Sequence, residues 1–316
     1  MWGSLASTNT LHRINGLIKS PRIKAAGILA CDLLGLRHLV IRMDPANACN
    51  LRCQMCYFSD EGWVKANARG RFSDEDLEQL AKQFFPYAMQ VHIGCTYEPT
   101  MFKNYDAIVR LAKEAGVPYI AMVTNGMLLK REKLEEMAKW GLNELTISCH
   151  GVRKETYNGL MKGADHDHFV AQMKMIQEVR DAAGKNAFAL RVNYTVNPDN
   201  IDELAEFFDV YGEFDINTLQ VRPMIDLDGA YQQNKARSIE SVVAQYQKTV
   251  KKIIDEGHRR GMTILANVDD PLYDDSDDAA TLYVEAVRRF VRPSLVWQPG
   301  FDFRTETYRD AYRKSD

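Results

Sequence analysis

Six times between residues 38 and 223 a short apolar run gives way to a segment with helical spacing, and this alternation leaves the chain few folds to adopt. The runs are residues 38–44, 91–94, 119–124, 144–149, 188–196 and 217–221. Each is closed by turn residues: Pro45, Gly94, Asn125-Gly126, His150-Gly151, Asn197-Pro198 and Arg222-Pro223. Between them, Ser73 opens a helix with Asp76 three positions on, an approximate capping box. Helices are expected at 104–115, 130–140, 169–183 and 201–211, and 63–71 reads as a loop excursion. The pattern predicts a parallel sheet with crossover helices. It is either an open doubly wound sheet or an incomplete barrel, and in both the ligand site lies at the carboxyl ends of the strands. Those ends carry Glu98, Asn125, His150, Asn197, Arg222 and a group of cysteines.

The cysteines follow the first strand directly. Cys49, Cys53 and Cys56 stand at CxxxCxxC spacing within eight residues, in a chain of six cysteines. Thiols this close in a loop pair poorly with one another and predict a metal or iron–sulfur site. Iron–sulfur clusters are ordinarily held by four thiolates. Three suggest a four-iron cluster with one corner free, and an open corner suggests chemistry rather than structure.

Composition narrows the surroundings. A chain of 316 residues that is 46% hydrophobic and 26% charged has ample core. A net charge of -3 makes no case for nucleic-acid binding. The cysteines form no regular secreted framework, and an oxygen-sensitive cluster fits a reducing cytoplasm. No apolar run reaches the roughly 18 residues of a membrane span, and no signal region stands at the N-terminus. Residues 11–39 are apolar and basic at helical spacing. This predicts a helix packed on the main domain, or alternatively a basic amphipathic segment in peripheral contact with a membrane. After Pro223, residues 225–229 read as a turn, 238–260 as a long helix, 262–268 as one more strand, 269–278 as an acidic surface loop and 279–291 as helix.

The cysteine spacing after strand one, the Glu98-Pro99 pair after strand two and the six βα units together resemble the radical S-adenosylmethionine enzymes, over about residues 36–225. The resemblance implies an α/β fold: a partial (β/α)6 TIM-like barrel with an N-terminal helical segment (1–36), a barrel core (37–225) and a C-terminal α/β extension capping it (226–316). It implies a [4Fe-4S] cluster on Cys49, Cys53 and Cys56, with S-adenosylmethionine on the free iron. The cleaved cofactor would yield a 5′-deoxyadenosyl radical that takes hydrogen from substrate, while the protein supplies positioning and exclusion of water. By the same resemblance Glu98 holds the methionyl ammonium, although Thr96-Tyr97 stand where the family has two glycines. Asn125 lies near the cofactor, Ser148 and His150 near its ribose, and the backbone at Val221 beside the adenine. Met55 takes the place of the family's usual aromatic. Arg191 and Asn193 share one face of strand five and reach cofactor or substrate, with a structural salt bridge the alternative for Arg191.

No cysteine follows Cys149, so a single cluster is expected. Substrate is expected to be a carbohydrate, a sugar-containing metabolite or a peptide, with His92, Tyr97, Arg222 and Asp226 as polar candidates. Cys95 and Cys149, beside strand ends, are candidate hydrogen donors of an epimerase, or small core residues. The family implies a flavodoxin or ferredoxin as electron donor. The reading of another class is a non-catalytic zinc or iron–sulfur module, with His150 as fourth ligand.

Overall fold

The structure, a computed structural model, describes residues 20–184, 187–224, 238–269, 271, 287–296, 302–303 and 305–306. Eight strands form one sheet: β1 (Leu39–Met43), β2 (Ala88–Ile93), β3 (Tyr119–Thr124), β4 (Glu144–Ser148), β5 (Ala189–Val196), β6 (Thr218–Pro223), β7 (Thr263–Ala266) and β8 (Arg288–Val291). Every pairing is parallel, in the order β7-β6-β5-β4-β3-β2-β1-β8. A doubly wound sheet reverses its strand order near the middle. Here β1 to β7 run in sequence order without a reversal. Repeated right-handed crossovers then put the helices on one face and curl the other into a lumen. The sheet is a barrel left open between β7 and β8.

Alternation along the strands separates the two faces. Leu39, Ile41 and Met43, Val91 and Ile93, Ile120 and Met122, Leu145 and Ile147, and Leu190 and Val192 are buried in the main core. The residues between them, among them Arg42, His92, Thr146, Arg191 and Asn193, line the lumen.

The helices are α1 (Pro21–Leu33), α2 (Glu61–Asn67), α3 (Asp74–Phe84), α4 (Tyr105–Glu114), α5 (Arg131–Lys139), α6 (Lys154–Leu160), α7 (His166–Ala183), α8 (Phe207–Tyr211), α9 (Val243–Arg259) and α10 (Pro293–Val296). The capping box of α3 is complete: Asp76 N–H donates to Ser73 Oγ at 3.1 Å, and Ser73 N–H to Asp76 Oδ2 at 3.2 Å. On α4, Tyr105, Ile108, Val109 and Ala112 turn one apolar stripe to the sheet. Below the sheet, Arg37 donates to the carbonyls of Phe85, Ala88 and Ala115, tying the entry to β1 to the ends of α3 and α4. Among the described residues no helix is long and apolar enough to cross a membrane.

Several expectations change. The excursion at 63–71 contains a helix, α2, whose N-terminus is capped by Asp60 Oδ1, which accepts from Gly62 N and Trp63 N. The helix expected at 201–211 shrinks to α8 after a 3₁₀ turn, because Asn197 and Asn200 fold 197–201 into a hydrogen-bonded turn. Residues 288–291 are not helical: β8 pairs alongside β1. Sequence reading left 154–160 without an assignment, and it is α6. The strand near 262–268 is present as β7, so the C-terminal stretch adds a strand to each edge of the sheet. The helix of the N-terminal segment is present as α1; none of its described side chains from Arg22 to Leu33 is fully buried, Lys24, Ile28, Cys31 and Asp32 are half-buried, and Asp32 lies 3.5 Å from His38 Nε2. The turn at 225–229, including Asp226, and most of the acidic run lie outside the described residues.

Candidate active site

The first functional element is the loop leaving β2. Gly94 has φ +79°, and a Cβ there would come within 2.3 Å of the Val123 carbonyl oxygen and 2.7 Å of the Pro99 ring. Only glycine lets the chain turn this close to β3. The next three backbone N–H groups, of Cys95, Thr96 and Tyr97, donate to Asp44 Oδ1 at 2.8, 3.1 and 3.3 Å. Asp44 is fully buried, and burial pushes its carboxyl up from the ordinary range against these donors. A side chain from the end of β1 thus supports the loop in which Thr96 and Tyr97 stand in place of glycines.

That support delivers Glu98. Its Oε1 accepts from Thr100 N (3.1 Å), Thr100 Oγ1 (2.6 Å) and Thr124 Oγ1 (2.6 Å), and its Oε2 accepts from Asn125 N (2.8 Å). Burial pushes the carboxyl up, and these four donors oppose the shift. Oε2, with one donor, keeps room for a cationic partner. Asn125 Nδ2 donates to Asn50 Oδ1 at 2.9 Å, and Glu98 N donates to Ala48 O at 2.9 Å. Glu98 and Asn125 are therefore bonded directly to the chain around Cys49.

The cysteine loop lies on the turn after α6. Arg52 N donates to Lys162 O and Gln54 N to Leu160 O, both at 2.8 Å. Cys49, Cys53 and Cys56 are free and half-buried. Burial pushes Cys49 up to about 12 and raises Cys53 and Cys56 as well, and Cys53 is raised further by Cys56 and Cys49 beside it. Buried thiols that repel one another as thiolates call for a cation to share the site. An all-sulfur donor set suits iron–sulfur chemistry. Among the described residues no three Cys, His, Asp or Glu side chains converge as ligands of a single ion. Thiolates that each hold a different iron need no such convergence. The residues present fit a cluster. Beside them Tyr57 stacks on Trp63 (5.3 Å between centroids), and Phe58 meets Trp63 and Tyr97 edge-on at 5.4 and 5.8 Å. The helix α2 thus walls the cysteine loop with aromatic rings.

Inside the barrel is a cavity of about 670 Å³, lined by Arg42, His92, Cys95, Glu144, Arg191 and Arg222 among others. Arg191 Nη2 bonds Glu144 Oε2 at 2.9 Å, the buried salt bridge that was the alternative for this residue. Asn193 also faces the cavity, in register with Ser148 on β4. His92 Nε2 lies 2.9 Å from Gln90 Oε1; burial and then Arg42, Arg191 and Arg288 push its imidazole down to about 3, so it is neutral. His150 Nδ1 accepts from Thr195 N at 3.0 Å, and burial and Arg222 lower it to about 4. Its proton therefore sits on Nε2.

The remaining expected residues are spread differently. Met55 is half-buried in the cysteine loop. Val221 sends its side chain into the hydrophobic core, so only its backbone, paired with Tyr194 and Ala266, reaches the site region. Cys95 lines the cavity, its Sγ 3.5 Å from His92 O. Cys149 is wholly buried, with Sγ 3.3 Å from Gly151 O. Sequence reading missed Asp44, Arg42, Glu144 and Gln220. The period-two pattern within each strand puts the last three on the face opposite the apolar core residues.

An incompletely closed parallel barrel, with three cysteines after its first strand and a buried glutamate after its second bonded to the same loop, defines a barrel enzyme with a cluster-type site. Residues 43–209 match the family model described as the Radical SAM superfamily. The chain belongs to the radical SAM superfamily. It is an enzyme of that family, and its cofactors are a [4Fe-4S] cluster and S-adenosylmethionine. This sets aside the reading as a non-catalytic metal-binding module.

The chain is 25% identical over 229 residues to a probable GTP 3′,8-cyclase of Saccharolobus solfataricus, covering 71% of this chain and 70% of that one. It is 28% identical over 174 residues to the GTP 3′,8-cyclase of Aquifex aeolicus, covering 54% and 52%. Among solved structures it resembles Streptococcus suis SuiB bound to precursor peptide SuiA, with TM-score 0.66 and 17% identity, covering 92% of this chain and 68% of that one. SuiB bound to S-adenosylmethionine gives TM-score 0.57 and 20% identity over 72% of this chain and 50% of that one. These structural likenesses concern the fold. The matched stretch spans about half the length of the Aquifex relative and of the second SuiB structure.

Proposed function

We propose that this enzyme takes a hydrogen atom from an unactivated C–H bond of a polar substrate held in the barrel lumen, a sugar-containing metabolite or carbohydrate before a peptide. The observation that carries the reading is the chain of bonds from Thr124 and Asn125 through Glu98 and Asn50 to the cysteine loop, close in sequence to Gly94, Cys95 and Val123, which line a polar cavity. When bound, the cluster and S-adenosylmethionine supply a 5′-deoxyadenosyl radical.

The chain's own residues then divide the work. Cys49, Cys53 and Cys56 hold the cluster. Glu98 Oε2 receives the methionyl ammonium, and Asn125 fixes the loop beside it. Ser148, the Nε2–H of His150 and Asn193 offer hydrogen bonds to the ribose side, while Met55 and the Val221 backbone border the adenine. Arg191, neutralised by Glu144, keeps the cavity wall polar. The curated relatives are named for GTP, a sugar-bearing nucleotide, and they are the reason for placing that class first. The peptide class follows the SuiA-bound likeness. A flavodoxin or ferredoxin is the natural electron source.

The position of Cys95 favours a second reading, an epimerase. Burial pushes its thiol up to about 12, so it stays protonated. Its S–H gives a hydrogen atom to the substrate carbon, and the resulting thiyl radical takes one electron from the external donor and one proton from solvent.

Candidate substrates deuterated at carbon test the proposal. The expected result is deuterium in 5′-deoxyadenosine from a sugar-containing compound. Transfer from peptides alone would contradict the preferred class. In deuterated water an epimerase places solvent deuterium on the product and loses this with Cys95→Ala; turnover that survives the substitution removes the second reading.

A further inference from the structure

Among the described residues, the lining of the lumen carries a positive charge that is not balanced. Arg42, Arg191 and Arg222 line the cavity from β1, β5 and β6. The carboxylate in the lining is Glu144, and it is engaged by Arg191. His92 adds no cation, being neutral. Arg42 and Arg222 have no ion-pair partner among the described residues. The Nε of Arg42 is buried without a hydrogen bond, and its guanidinium lies over the Phe290 ring, 5.9 Å from the centroid. Arg288, on the lumen side of β8 in register with Val40, adds a further cation close to Arg42. Arg222, at the end of β6, is exposed, and partial desolvation, then Arg191 and Arg42, push it below the ordinary guanidinium range, the sign of cations held near one another.

Removing a cation from water without an anion beside it is costly. Guanidiniums left unpaired around one cavity, Arg42 half-buried and Arg222 exposed, are open to an anionic ligand. A guanidinium presents a planar fork of N–H donors matched to phosphate oxygens, and two forks without carboxylates match the double charge of a phosphate monoester. Hydrogen-bonding groups stand nearby for hydroxyls: Asn193, whose Oδ1 is buried without a partner, with Gln220, Thr146 and Thr263. A cavity of about 670 Å³ is within the usual range for a small-molecule site.

We propose that Arg42 and Arg222 form a phosphate-binding subsite in the barrel lumen and that the substrate is a phosphorylated, hydroxyl-bearing small molecule. This rests on the function proposed above and names the substrate class of the same site.

The test uses the full chain carrying its cluster, in phosphate-free buffer, with ribose 5-phosphate, ribose and inorganic phosphate as calorimetric probes. Ribose 5-phosphate is expected to bind at least tenfold more tightly than ribose. Arg222→Gln and Arg42→Gln are each expected to remove that advantage, with thermal midpoints no lower than the parent's because neither guanidinium has an ion-pair partner to lose. Equal binding of ribose and ribose 5-phosphate overturns the proposal, as does a phosphate preference that survives both substitutions. Falling midpoints in both variants make the arginines structural and also overturn it. Weakened S-adenosylmethionine binding with phosphate binding intact assigns them to the cofactor, with the same consequence. Reductive cleavage of S-adenosylmethionine, read on the same sample, separates the two readings. Phosphate binding without cleavage sinks the radical function and leaves the subsite; cleavage without phosphate binding does the reverse.

Discussion

Glu98 shows how one side chain can carry both structure and chemistry. A buried carboxylate is expensive unless its lone pairs are used, and here four donors from three residues use them. The bonds on Oε1 fix the orientation, and Oε2 remains available to a cation. Glu98→Gln keeps the shape and removes the charge. The dissociation constant for S-adenosylmethionine is expected to rise at least tenfold, about 1.4 kcal/mol, with the iron–sulfur absorbance retained. Equilibrium dialysis on cluster-bearing protein checks this, and an unchanged constant would show that Glu98 only braces the loop. Asp44 plays the complementary part: it holds three consecutive N–H groups of the loop that presents Glu98.

At the scale of elements, the loop after β2 is the most constrained piece of the site. Gly94→Ala puts a methyl into the Val123 carbonyl at a left-handed backbone position. The backbone strain alone is worth about 1–3 kcal/mol, and the clash adds to it. A clear fall in thermal midpoint is expected, together with weaker S-adenosylmethionine binding; a variant as stable as the parent would mean the loop is not held as described. The buried strands were legible in the sequence because long apolar runs bounded by turn residues have few other uses. The elements that were not legible are those held by tertiary contact. The helix α2 contains Gly62 and depends on the Asp60 cap and on Trp63 packing against Tyr57 and Phe58. The edge strand β8 is four residues long, reads Arg288-Arg289-Phe290-Val291, and becomes a strand by pairing with β1.

Across the whole molecule, the parallel order from β7 to β8 turns residues distant in sequence into one enclosed wall. The end-of-strand candidates could be found from sequence, since each follows a recognisable strand. Arg42, Glu144 and Gln220 could not be assigned that way. A polar residue within a strand faces solvent in an open sheet and faces the lumen in a barrel, and only closure distinguishes the two. The pairing of β4 with β5 brings Arg191 to Glu144, 47 positions away in the chain. The curvature of the sheet brings the Cys49–Cys56 loop, Glu98 and Asn125 together at one end of the barrel.

The most direct measurement is reductive cleavage of S-adenosylmethionine by the anaerobically reconstituted protein, with Cys53→Ala alongside. The account predicts a brown protein that forms 5′-deoxyadenosine and methionine when dithionite is added, and a Cys53→Ala variant that has lost both the iron–sulfur absorbance and the cleavage. A colourless, zinc-loaded protein, or cleavage that persists in Cys53→Ala, would contradict it.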